Sequence, residues 1–217
     1  MCSVKGAIRN SQFDRVAFGA IRALCRIAYR ESRIAAPYHP AMAVRAATPN
    51  DITAIARVQV ASWHGVYRGL IPDEVIDRIT VERRIVQWTA FFQRADHDEA
   101  LIVADHDGSV VGMASLGVSR DGDFDGTRVG EVRAIYVAPD HWGHGHGREL
   151  MVGAEDWLRR RDFAEAMLWV LEGNRRARRF YDTAGWAVDG ASKIEDIFGA
   201  AIPEVRYRVH LNIDNAV

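Results

Sequence analysis

The sequence predicts a mixed α/β fold, with helices flanking one main sheet of six or seven strands. Apolar periodicity switches between helical and strand spacing along the chain. Asp107-Gly108 forms a hairpin signal between two apolar runs. A glycine-rich stretch joins an alternating strand to an amphipathic helix. At 217 residues, 48% hydrophobic and 26% charged, the chain has the composition of an ordinary globular domain, with or without an appendage. Disordered, collagenous and coiled-coil classes are excluded. No run approaches the roughly 20 apolar residues of a membrane span. A net charge of −1 argues against a general nucleic-acid binder. The two cysteines, Cys2 and Cys25, exclude a disulfide scaffold or zinc ribbon and fit a reducing, cytoplasmic setting.

Charge divides the chain. Residues 1–42 hold seven basic and two acidic residues, so they carry +5 and leave −6 for residues 43–217. Ala35-Ala36-Pro37-Tyr38-His39-Pro40 reads as a linker. Before it, Phe13, Val16, Ala17, Ala20, Ile21, Leu24 and Ala28 recur at helical spacing between arginines. A secretory signal fails because Arg22 interrupts the apolar core. An Arg-rich, acid-poor segment also resembles a mitochondrial transit peptide. The reading adopted is a basic N-terminal extension, one amphipathic helix plus linker, with the functional domain over 43–217.

Ala43–Thr48 is a short strand ended by Pro49-Asn50-Asp51, and Asn50 or Asp51 caps a helix running to Trp63. Pro72 suits the first turn of a short helix through Ile79. A third helix, Val81–Arg94, places Ile85, Trp88, Phe91 and Phe92 on one side. Leu101–Asp105 and Val110–Ser119 are strands around the Asp-Gly turn, and Val129–Val137 alternates as another. Next come a helix over about Gly147–Arg161, a strand Ala166–Val170 and a helix Arg175–Ala184 stopped by Gly185. Strands near Trp186–Ser192 and Glu204–Asn212 close the domain. In the last, Val205, Tyr207, Val209 and Leu211 alternate with charged residues.

The chemistry concentrates in Tyr136-Val137-Ala138-Pro139-Asp140-His141-Trp142-Gly143-His144-Gly145-His146-Gly147. Alternating glycines let backbone approach a ligand closely. The helix that follows offers unpaired N–H groups and about half a positive charge, a construction that holds phosphate oxygens. The spacing is neither a dinucleotide G-x-G-x-x-G nor a P-loop. A tight strand–helix turn without a ligand is the plain alternative. Thirty residues on stands Asn174-Arg175-Arg176-Ala177-Arg178-Arg179-Phe180-Tyr181.

On these two motifs, in this order and spacing, residues 43–212 resemble the GNAT superfamily of N-acetyltransferases. Trp142-Gly143-His144-Gly145-His146-Gly147 matches that family's acetyl-CoA loop, with Trp142 replacing the usual Gln or Arg. Asn174 to Tyr181 matches its Asn-x-x-Ala-x-x-Phe-Tyr helix, with Ala177 at the alanine. The resemblance implies a mostly antiparallel sheet split to expose a thioester. It implies that the backbone of Ile135, Tyr136 and Val137 pairs with pantetheine as an added strand. It further implies that the amides of Trp142–Gly147 take the pyrophosphate and that Asn174 contacts the cofactor. Tyr181 corresponds to the acid that protonates the departing thiolate. Glu131 matches a base position used by some members, where burial would raise its pKa; a strand carboxylate paired with Arg133 or another arginine is the alternative. Among Arg148, Arg175, Arg176, Arg178 and Arg179, one or two would meet the CoA 3′-phosphate and the rest form a solvated face. Trp63, His64 and Tyr67 fall where relatives build the acceptor pocket, or else belong to the core.

Asp121-Gly122-Asp123-Phe124-Asp125-Gly126 imitates a calcium loop, but position twelve is Val132. His141, His144 and His146 lack acidic or cysteine partners nearby, so no metal is assigned. The resulting expectation is a cytoplasmic N-acetyltransferase moving acetyl from acetyl-CoA to a primary amine of a small molecule, peptide or protein. Attack would be direct within a ternary complex. Neither nucleic acid nor membrane is an expected partner, and a homodimer is compatible with the resemblance. The alternative function is a non-catalytic acetyl-CoA sensor on the same fold.

Overall fold

The computed structural model describes residues 42–94, 98–124 and 128–211. The extension proposed for residues 1–42 therefore lies outside the described residues, apart from Met42, which opens the first strand. In chain order come β1 (Met42–Ala46), α1 (Ile52–Val66), α2 (Asp73–Ile76), α3 (Val81–Gln93), β2 (Glu99–His106), β3 (Ser109–Val118) and β4 (Val129–Val137). They are followed by α4 (His146–Arg159), β5 (Glu165–Leu171), α5 (Arg175–Thr183), β6 (Ala187–Ile197) and β7 (Ala200–His210). Short 3-10 turns cover Pro49–Asp51 and Pro139–His141.

The strands form one seven-stranded sheet in the order β1-β2-β3-β4-β5-β7-β6. Every neighbouring pair is antiparallel except β4 with β5. The β2–β3 hairpin turns at Asp107-Gly108 with φ of 51° and 78°, as that dipeptide requires. Period-two alternation divides the strand side chains between two helical layers. On one face Leu150, Met151, Ala154 and Leu158 of α4 and Tyr181 of α5 pack on Ile102, Ala114, Leu168, Val170 and Tyr207. On the other, Ile55, Ala56 and Val58 of α1 and Trp88 of α3 pack on Leu101, Val103 and Met113. Trp63, Ile71, Val75 and Ile76 extend that layer to Leu171 and Ile202.

Polar groups set the helix starts. Thr80 caps α3 by accepting from the Arg83 N–H. Before α1, the Asp51 carboxylate accepts from Arg45 Nη1 and Nη2 at 2.8 and 2.9 Å and from the Thr48 N–H at 2.8 Å. The Arg45 guanidinium holds the Asp51 carboxyl well below the usual carboxylate range, against an opposing effect of burial. A depressed folded-state pKa stabilises the fold above the unfolded carboxylate pKa of about 3.9, and that contribution is lost as pH falls below it. Asp51→Asn is expected to cost about 1.5–3 kcal/mol at pH 7, read by urea denaturation, with the gap from wild type narrowing below about pH 4. An equal gap at pH 7 and pH 3 would show that the ion pair contributes nothing.

The sequence reading and the structure differ most at the last hairpin. β6 continues to Ile197 and β7 starts at Ala200, well beyond the expected Ser192 and Glu204. The turn is Phe198-Gly199, with φ of 53° and 90°, and Pro203 sits inside β7 opposite Ile194. Phenylalanine is not a hairpin-turn residue and proline argues against a strand interior, so neither signal was legible in the sequence.

Candidate active site

β4 and β5 pair only at Val129–Glu165, Gly130–Ala166 and Glu131–Met167, although β4 runs on to Val137 and β5 to Leu171. A bulge lies just past the last pair. Ser115 faces Ala134 and Leu116 faces Val132, which leaves Arg133 as the extra residue. Such an insertion bends and over-twists its strand. The Arg133 guanidinium is engaged by Glu99 and donates to the Val118 carbonyl at 3.0 Å, which anchors the bend. The diverging strands enclose a cleft of about 400 Å³ that reaches from the glycine-rich loop and α5 to the end of α1.

The register sets which backbone groups face this cleft. Ala138 N–H donates to the Val111 carbonyl at 2.9 Å and Tyr136 lies opposite Met113. By antiparallel alternation the main-chain groups of Tyr136 point to β3, whereas those of Ile135 and Val137 point into the split. The Val137 carbonyl accepts from Ser62 Oγ at 2.8 Å and from Trp142 Nε1 at 2.7 Å, which fills both lone pairs. Ile135 and the Val137 N–H thus form the available strand edge. Tyr136 contributes its ring to the lining, and its hydroxyl accepts from Trp63 Nε1 at 3.0 Å.

At the end of the cleft beside α4, Gly143 and Gly145 adopt φ of 80° and 90°, and Gly145 is the N-cap of α4. This left-handed geometry turns the chain so that the first amides of α4 have no preceding carbonyl to meet. Such a terminus can cradle phosphate. Trp142, the departure from the family pattern, ties the loop to β4 and lies under Arg176, whose guanidinium carbon is 3.7 Å from the ring centroid. Arg148 and Arg176 line the cleft. Arg178 instead donates to the Glu172 carbonyl and the Tyr207 hydroxyl. His144, within the loop, is exposed and is not among the residues that line the cleft. His146 is 3% exposed, and its ring centroid lies 5.1, 5.7 and 6.3 Å from those of His106, His141 and His144. Burial, then the neighbouring imidazoles, lowers its pKa. Among the described residues no group of three or more His, Cys, Asp or Glu side chains is arranged to hold a metal ion.

The second motif forms α5. Asn174 is its N-cap and accepts from the Ala177 N–H through Oδ1 at 3.1 Å, so its amide nitrogen is left for the cleft that both residues line. Tyr181 lines the same cleft and is 7% exposed, packed on Phe180, Trp186 and Tyr207. Burial, reinforced by Tyr136 and Tyr207, pushes its phenol pKa well up.

At the opposite end the cleft is walled by Trp63 and Tyr67, in edge-to-face contact at 4.7 Å. His64 is not among these residues and faces the Ile79 carbonyl. Nor does the structure bring Glu131 to the cleft. It accepts from the N–H, Nε and Nη2 of Arg120 at 3.1, 3.1 and 3.0 Å, and Arg133 Nε stands 3.7 Å away. The carboxylate in the lining is Glu204, absent from the sequence-derived candidates. Asp121 and Asp123, from the calcium-like stretch, both accept from Arg206 Nη1 at 2.9 Å.

A sheet split beside a helix terminus suited to phosphate, with a buried phenol in the split, defines an acyltransferase architecture. The chain belongs to the acetyltransferase (GNAT) family, whose model matches residues 63–186. It is 34% identical over 140 residues to an uncharacterized N-acetyltransferase of Archaeoglobus fulgidus, covering 64% of this chain and 89% of that one. Similarity to a probable N-acetyltransferase of Mycobacterium tuberculosis is 26% over 168 residues, 77% of this chain and 92% of the relative. Among solved structures, YncA of Salmonella typhimurium with acetyl-CoA aligns at a TM-score of 0.58 and 25% identity, covering 82% and 97% of the two chains. The fold is also that of a PaiA N-acetyltransferase from Thermoplasma acidophilum in complex with coenzyme A, at a TM-score of 0.59, 18% identity and 78% and 99% coverage. Among the described residues no helix is long and apolar enough to cross a membrane.

Proposed function

We propose that this acetyltransferase moves acetyl from acetyl-CoA to a primary amine by direct attack in a ternary complex. The observation that carries the reading is the open split between β4 and β5, with a strand edge on one side and the α4 terminus at its end. The Ile135 and Val137 edge suits the amides of pantetheine. The loop from Trp142 to Gly147 suits the pyrophosphate, and Arg148 and Arg176 suit the 3′-phosphate. Tyr181 is assigned the proton delivered to sulfur as the C–S bond breaks. Glu131 has a positioning role, holding the Arg120 segment against β4. A −6 balance over residues 43–217 favours a cationic acceptor through steering, whether small molecule or peptide.

Calorimetric titration with acetyl-CoA and with free CoA, followed by thiol release over a panel of primary amines, tests the assignment. Binding in the micromolar range and amine-dependent thiol release are expected. A folded sample that binds neither ligand overturns it.

A further inference from the structure

We infer that Glu204 receives the acceptor's ammonium and takes its proton, on the opposite face of the split sheet from Tyr181; this rests on the acyltransfer reading above. The topology fixes the two sides. Glu204 pairs with Leu171 across β5–β7, and directly opposed residues share a face. Leu171 packs with Trp63, Ile71 and Val75 under α1 and α2. Leu168 and Val170, of opposite parity, pack in the layer that contains Tyr181. One cleft passes between β4 and β5 and is lined by both Tyr181 and Glu204. A thioester held in that opening would have an acid on its leaving-group side and a carboxylate on the side from which an amine arrives.

The surroundings of Glu204 suit that task. Trp63, Tyr67 and Tyr136 give aromatic walls that attract a cation. Burial of Glu204, whose side chain is 11% exposed, raises its pKa above that of a free carboxylate, and the charges of Glu195 and Glu131 push the same way. Lys193 opposes them, with Nζ at 3.4 Å from Glu204 and 2.8 Å from Glu195. Because Lys193 keeps Glu195 as a partner, Glu204 can gain a proton without leaving that ammonium unpaired. Tyr67 and Tyr136 also sense the Glu204 charge. Glu131, by contrast, has its oxygens engaged by the three donors of Arg120.

The step balances. Glu204 takes the ammonium proton that frees the nitrogen lone pair and later yields it to solvent. The N–C bond forms, the C–S bond breaks, and Tyr181 protonates the thiolate. The second proton shed by nitrogen as the amide forms returns to Tyr181. A base matters for an amine that arrives protonated and not for one that arrives neutral.

The test uses 2-phenylethylamine, an ammonium at pH 7, and O-benzylhydroxylamine, nearly the same shape but neutral there. Glu204→Gln is expected to lower kcat/KM for 2-phenylethylamine about 10²–10⁴-fold at pH 7, to move the acidic limb of its pH profile from the carboxylate up to the ammonium's own pKa, and to leave O-benzylhydroxylamine within about threefold of wild type. Acetyl-CoA affinity stays unchanged. Should Glu204→Gln fold poorly, Glu204→Asp carries the same contrast in smaller measure. Equal slowing with both probes, or none with either, overturns the assignment while the acyltransfer reading stands. If wild type consumes neither probe, the same contrast is read on an amine of the panel that it does consume, above and below that amine's ammonium pKa. Wild type that binds acetyl-CoA but acetylates no amine of the panel overturns the acyltransfer reading, and Glu204 with it.

Discussion

Tyr181→Phe is expected to lower kcat about 10²–10⁴-fold while acetyl-CoA affinity stays within about threefold of wild type. The substitution removes one oxygen and keeps the ring that packs on Phe180, Trp186 and Tyr207. Among the described residues the hydroxyl has no hydrogen-bond partner whose loss would disturb the fold. A free thiol has a pKa of about 8.5 and a phenol about 10, so transfer from Tyr181 to a thiolate is uphill in water. Burial raises the phenol further. The same dry surroundings raise the basicity of a thiolate born beside it, so both groups shift in the same direction. The raised pKa also keeps the proton on Tyr181 through the alkaline range, and wild-type kcat should show no basic limb from this group below about pH 10. Unchanged turnover in the phenylalanine variant would remove the acid. A module that only binds acetyl-CoA would be indifferent to the substitution in the same way.

Gly145→Val is expected to weaken acetyl-CoA binding about 10²-fold or more, read by calorimetry. At φ of 90° Gly145 occupies backbone space that a β-branched residue enters only with strain, on the order of 1–3 kcal/mol. No atom lies within 4 Å of a Cβ placed there, so the protein itself offers no clash. The loop is free to relieve the strain by turning, which redirects the first amides of α4. Losing two charge-assisted hydrogen bonds, each worth about 1.5–3 kcal/mol, accounts for the expected loss. Gly190, at φ of 92° on edge strand β6, is the control. Gly190→Val carries similar strain away from the loop and should leave affinity intact. Equal losses in the two variants would mean that general destabilisation, not the loop amides, explains the effect.

Much of the fold was legible because its signals are local. The alternation of Val129–Val137, the Asp107-Gly108 turn and the glycine loop each occupy consecutive residues whose φ preferences and periodicity speak for themselves. Neighbouring positions in the second motif likewise place Ala177 and Tyr181 along one short helix capped by Asn174, and the structure sets all three in the lining. The β6–β7 extension escaped because Phe198-Gly199 and Pro203 contradict local preference, and the ladder with β5 and β6 overrides them.

The carboxylates mark the boundary most clearly. In sequence, Glu131 stands on the strand that leads to the loop, and Glu204 is one charged residue among several alternating with Val205, Tyr207 and Val209. Only the tertiary structure brings Arg120 onto Glu131 and carries Glu204 across from Leu171 into the cleft. The layers and the strand–loop–helix turn were legible because each rests on torsions and spacings within a few residues, whereas Tyr181 was singled out only by the resemblance of its motif to a known family. The split between β4 and β5 and the carboxylate that faces it depend on strand order, register and a bulge at Arg133, which are relations between residues far apart in the chain.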